Sequence, residues 1–136
     1  MGAWGNGIFE NDDAADWVGD LEEGGDASFL RSTLAAVAGA SSSAYVDAGE
    51  ASCALAAAEV VAACAGPPAG DLPEEVTAWI EDHPNAVTPE LVEQARAAVT
   101  RVLAGSELLE LWSEDGDPDL TEVHDLQRRL AASEPT

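Results

Sequence analysis

The stretch DAGEASCALAAAEVVAACA, Asp47 to Ala65, carries alanine and valine on nearly every face. Alanine has the highest helix propensity, and a helix that is apolar all round has to be covered on all sides. Asp47–Ala65 is therefore expected as a helix at the centre of the fold, packed closely on several neighbours. Gly39 and Ser41 to Ser43 mark a loop before it, and Gly66-Pro67-Pro68-Ala69-Gly70 is a firm stop after it.

Helical patterns flank this segment on both sides. Upstream, Ala14, Trp17, Val18 and Leu21 fall on one face at about 100° per residue. Asp12, Asp13, Asp16, Asp20 and Glu23 fall on the opposite one. Asn11 suits an N-cap, and Gly24-Gly25 ends the helix. Asp26 or Ser28 caps a second helix through about Ala38, with Phe29, Leu30, Leu34 and Val37 toward the core. Downstream, Pro73-Glu74-Glu75 opens a short helix holding Val76, Trp79 and Ile80, which Pro84 closes. Thr88-Pro89-Glu90 combines a cap, a proline at the first helical position and an acid. Leu91, Ala95, Ala98, Val99, Val102 and Leu103 follow at helical spacing, and Gly105 breaks or bends that helix before Leu108, Leu109 and Trp112. A last helix carries Leu120, Val123, Leu126 and Leu130, with Arg128 and Arg129 near its C-terminus, where the helix dipole favours cations. The expectation is an all-α fold, a compact bundle of six or seven helices in one domain over residues 1–136. An irregular Gly/aromatic segment or short strand occupies residues 1–10, and the tail 133–136 is frayed.

Composition narrows the functional classes. The chain has 136 residues, enough to bury about two-thirds of its unfolded surface. Asp+Glu number 27 against five Lys+Arg, all of them arginine, for a net charge of −22. Such a field repels nucleic-acid phosphates and anionic lipid, so direct nucleic-acid and membrane binding are not expected. The charge serves solubility or presents a docking surface to a basic partner. No basic n-region or signal-length apolar run follows Met1, and the most apolar span, Ala51–Ala65, is too short to cross a bilayer. The expected compartment is the cytoplasm. Cys53 and Cys64 fit it as reduced core thiols, since eleven residues of one helix hold them about 16 Å apart, beyond disulfide reach.

The functional question centres on Met1 to Leu21, MGAWGNGIFENDDAADWVGDL. Gly2, Gly5 and Gly7 are too dense for a helix start, while Trp4, Ile8 and Phe9 supply large apolar burial. The run Trp4-Gly5-x-Gly7-x-Phe9-x-Asn11-Asp12-Asp13-Ala14-x-Asp16-Trp17 resembles the N-terminal signature of a bacterial family known only as domain of unknown function 4259. The resemblance implies continuity of fold, an alanine-rich central helix at Ala51–Ala65 and a leucine-tryptophan segment at Leu108–Trp112. It implies no activity, cofactor or catalytic residue.

Familiar chemistries meet specific objections. Gly5-x-Gly7 lacks a preceding strand, and Glu10 stands where a dinucleotide fingerprint has its third glycine. Asp12 and Asp13 also hold the helix start where a phosphate would sit. Counted from Asp115, an EF-hand template meets Leu120 and Leu126 where it requires glycine and glutamate. His83 and His124 show no metal-ligand spacing, and a nucleophilic cysteine needs an electropositive setting that this composition does not offer.

The leading expectation is a small non-enzymatic protein acting by protein–protein contact, monomeric or weakly dimeric, with a basic partner. An immunity-type inhibitor and a DNA mimic are two versions of it. The candidate surface is Trp4, Gly5, Gly7, Phe9, Asn11, Asp12, Asp13, Asp16 and Asp20. The alternative is a Ca²⁺- or Mg²⁺-binding domain or metal-assisted hydrolase using Glu10, Asp12, Asp13 and Asp16; otherwise no cofactor is expected.

Overall fold

The computed structural model describes residues 12–39, 46–65, 74–83, 87–104, 107, 110 and 121–132. Six helices are described: α1 Asp12–Glu22, α2 Ala27–Ala38, α3 Ala48–Ala65, α4 Glu74–Asp82, α5 Pro89–Ala104 and α6 Thr121–Ala132. No strand occurs among the described residues, and the fold is an all-α bundle. The Gly/aromatic segment 1–10, Asn11, Leu108, Leu109, Leu111, Trp112 and the tail 133–136 lie outside the described residues.

Helix α3 is the hub. It packs against α1, α2, α4, α5 and α6, and an unbroken run from Ala54 to Ala62 is buried. Alanines at 51, 54, 56, 57, 58 and 62 have no exposed surface, so neighbouring helices approach its backbone closely. At 18 residues with mean hydropathy 1.4, α3 is long and apolar enough to cross a membrane, which the shorter span Ala51–Ala65 was not expected to be. In this fold its sides are covered by the other five helices instead.

The flanking helices bury the faces their periodicity prescribes. Ala14, Trp17, Val18 and Leu21 of α1 are buried, as are Leu30, Leu34 and Val37 of α2. Val76 and Trp79 of α4, six residues of α5 including Val92, and Val123, Leu126 and Leu130 of α6 complete one apolar cluster.

The turn from α1 to α2 needs its two glycines for different reasons. Gly24 has φ +122°, a conformation that L side chains rarely adopt. A Cβ on Gly25 would come within 2.9 Å of Leu21 Cα and of the Phe29 ring. Asp26 then caps α2, its Oδ1 accepting from the Ser28 and Phe29 amides at 3.0 and 3.2 Å.

Two tryptophans fasten this corner. Trp17 stacks on Phe29 at 5.4 Å and donates through Nε1 to Thr33 Oγ1 at 2.8 Å. Trp79 Nε1 donates to the Gly25 carbonyl at 2.9 Å, tying α4 to the turn. At the far end of α4, His83 stacks on Trp79 at 4.2 Å. Thr88 starts α5, its Oγ1 accepting from the Leu91 amide at 3.2 Å, with Pro89 in the first helical position.

One feature of the core has no counterpart in the hydrophobic pattern. Glu59, on buried α3, is 1% exposed and receives both Arg129 terminal nitrogens at 2.6 and 2.8 Å. Arg129 is 8% exposed, and its Nε donates to Asp125 Oδ2 at 2.8 Å. The planar guanidinium matches a carboxylate with two parallel bonds, a geometry a lysine could not supply. Arg129 therefore does more than complement a helix dipole: it neutralises the one carboxylate in the middle of α3.

Candidate interaction surface

The acidic face of α1 is organised by what lies beneath it. Ala14, Trp17, Val18 and Leu21 turn inward, which forces Asp13, Asp16 and Asp20 outward, and all three are exposed. Among the described residues no arginine pairs with any of them.

Helix α3 brings a second set of carboxylates alongside. Asp47 caps it, accepting from the Glu50 amide at 2.8 Å, and Asp47 and Glu50 are both exposed. A methyl group on Gly49 would meet Asp13 Oδ1 at 3.7 Å, so the start of α3 lies directly against α1. Glu107 adds a third contact by accepting from the Ala48 amide at 2.8 Å, while its own amide donates to the Val46 carbonyl at 2.9 Å. Three carboxylates thus gather where the dipole of an 18-residue helix is positive.

Cys53 registers the combined field. Its thiol donates weakly to the Asp13 carbonyl at 3.7 Å. Burial pushes it up to about 11, and the charges of Asp13, Asp20, Asp47 and Asp16 press in the same direction. With the α3 start lying against Asp13, the carboxylates of α1 and the cap of α3 are close enough to act on one thiol. Burial pushes Cys64, farther along α3, to about 11 as well. Both thiols are free and half-buried at the edge of the core rather than enclosed within it. A thiol shifted this way is a poor nucleophile at neutral pH.

Of the candidate surface read from sequence, Asp13, Asp16 and Asp20 come together on one exposed face. Asp12 opens α1, but its side chain, with Trp4, Gly5, Gly7, Phe9, Glu10 and Asn11, lies outside the described residues. Among the described residues no three His, Cys, Asp or Glu side chains are grouped to hold a metal ion. Sequence reasoning missed Asp47 and Glu50 as members of the patch, because their role depends on α3 packing against α1. Asp47 carried one legible signal, its place as a cap just before an alanine-rich run.

The fold and the patch define an acidic helical-bundle protein with its carboxylates collected where α1 meets the start of α3. Residues 2–124 match the family model described as Domain of unknown function (DUF4259), and the chain belongs to that family. No curated protein and no solved structure matches the chain.

Proposed function

We propose that the protein works by protein–protein contact, as a small cytoplasmic non-enzymatic module that docks a basic partner on the patch of Asp13, Asp16, Asp20, Asp47 and Glu50. The observation that supports this reading is the grouping of exposed carboxylates from two helices with no arginine among them. Surface acids meant only for solubility gain nothing by clustering, since like charges side by side repel. A basic partner removes that repulsion on binding. Association would be fast and strongly salt-dependent, because steering acts over the Debye length.

The test is capture from cell lysate with the wild-type chain and with a D13N/D16N/D20N variant, each at low and at high salt. The reading requires a basic protein retained by the wild type at low salt, released at high salt and not retained by the variant. Equal retention by both chains, or retention indifferent to salt, overturns it. The three positions are exposed, so the variant keeps its core and should lose no stability.

A further inference from the structure

The arginines are distributed as unevenly as the acids. A cleft of about 350 Å³ runs between α5 and α6, lined by Arg96, Thr100, His124, Gln127, Arg128 and Ala131. The spacing explains the convergence. Arg96 and Thr100 stand one turn apart on α5, and His124, Gln127, Arg128 and Ala131 follow one stripe of α6 at i, i+3, i+4 and i+7. Five of the six lining side chains can donate a hydrogen bond, and none is a carboxylate. In a chain with 27 acids and only seven arginines and histidines together, this cleft holds three of the seven.

We propose that the α5–α6 cleft binds the oxyanion group, phosphate or carboxylate, of a small molecule. Guanidinium forks match both groups with paired donors. Threonine hydroxyl, glutamine amide and imidazole N–H add further donors to a lining without a carboxylate, of the kind that fixes an anion's orientation. The volume is that of a small metabolite's site. A polyanion such as nucleic acid is excluded, because any longer chain of phosphates would run into the field of a protein whose net charge is −22.

Both cleft arginines have a carboxylate neighbour on their own helix, and Arg128, the more exposed of the two, can turn from its neighbour toward a ligand. Arg96 lies 3.6 Å from Glu93 with the arginine side chain 37% exposed. Arg128 pairs with Asp125 at 76% exposure, and Asp125 is held at the same time by Arg129. Exposed pairs one turn apart on a helix contribute little and exchange readily. Asp125, its carboxyl held below the usual range chiefly by the Arg129 hydrogen bond, stays charge-compensated when Arg128 turns away.

The experiment is an amide and side-chain NMR titration of the full chain at constant ionic strength, with inorganic phosphate, succinate and chloride as separate probes. Expected are saturable shifts at Thr100, His124, Gln127 and Arg128 with a millimolar midpoint for phosphate or succinate and none for chloride. Whichever probe binds more tightly names the oxyanion. R128Q should weaken the midpoint about tenfold or more, whereas R31Q, at an exposed arginine on α2, should leave it unchanged. Three results overturn the site: shifts equal for chloride, a midpoint that R128Q and R31Q change alike, and linear, unsaturated shifts.

Discussion

Glu59 and Arg129 place two full charges in the packed centre of a helix whose other buried positions are nearly all alanine, leucine and valine. Taking both out of water is costly, and their attraction offsets the cost only because two short hydrogen bonds and the Asp125 contact satisfy the guanidinium. Removing one member is therefore far worse than removing both. Arg129→Met should lower unfolding free energy by about 3–5 kcal/mol in urea titrations, while E59L/R129M should recover most of that loss. A double variant no better than the single would show that the pair organises α6 rather than neutralising Glu59. The thiols give a second residue-scale test. In the folded state Cys53 and Cys64 are raised from 9.0 to about 11. Above pH 9 the unfolded chain releases these protons first, so the stabilisation present below pH 9 is lost as pH rises through 11. Stability should fall across pH 9–11, and C53A/C64A should flatten that slope. At pH 8, native thiols should react with iodoacetamide about a hundredfold more slowly than denatured ones; equal rates would mean the half-buried thiols are as open as free cysteine.

Helices were legible where one residue's chemistry settles a local choice. Gly24-Gly25 followed by Asp26 announces a stop and a restart, and positive φ at Gly24 with the Asp26 cap is what forms there. Thr88-Pro89 does the same for α5, because a proline at the first helical position sacrifices no hydrogen bond. The central place of α3 was legible too, since alanine on all faces tolerates only neighbours on all faces. The contacts between distant segments were not: Glu59 meets Arg129 across 70 residues, and Ala48 meets Glu107 across 59. Periodicity carries no information about which charge faces which across a core, so nothing in the helical pattern marks Glu59 as the partner of Arg129. The same limit hid the α5–α6 cleft, whose two stripes are unremarkable until the helices are set side by side. Gly19 offers a test at this scale. It sits within α1, its φ is not positive, and an added Cβ would meet nothing within 4 Å. Gly19→Ala should therefore raise stability by about 0.5–1 kcal/mol and the melting temperature by about 3 °C. A loss on calorimetry would show that α1 needs its glycine for something other than backbone freedom.

For the molecule as a whole, the decisive quantity is a net charge of −22 on 136 residues. The apolar cluster that all six helices share has to hold that charge together against itself. Repulsion among exposed carboxylates is long-ranged at low salt, with a Debye length of about 30 Å at 0.01 M, and shrinks to about 8 Å at 0.15 M. Folding brings the carboxylates of α1 and the α3 start closer than an unfolded chain would, so salt should favour the folded state. The melting temperature should rise by several degrees between those two concentrations and level off above them. Two variants locate the source. D13N/D16N/D20N removes three charges from the patch and should raise the melting temperature at low salt while reducing its salt dependence. Arg129→Met removes a charge that is 8% exposed and little screened, so it should lower the melting temperature without changing the slope against salt. If the low-salt deficit persists unchanged in the triple variant, the strain of the −22 charge is spread over the whole surface. The α1–α3 patch would then lose the physical distinctness on which the docking reading depends.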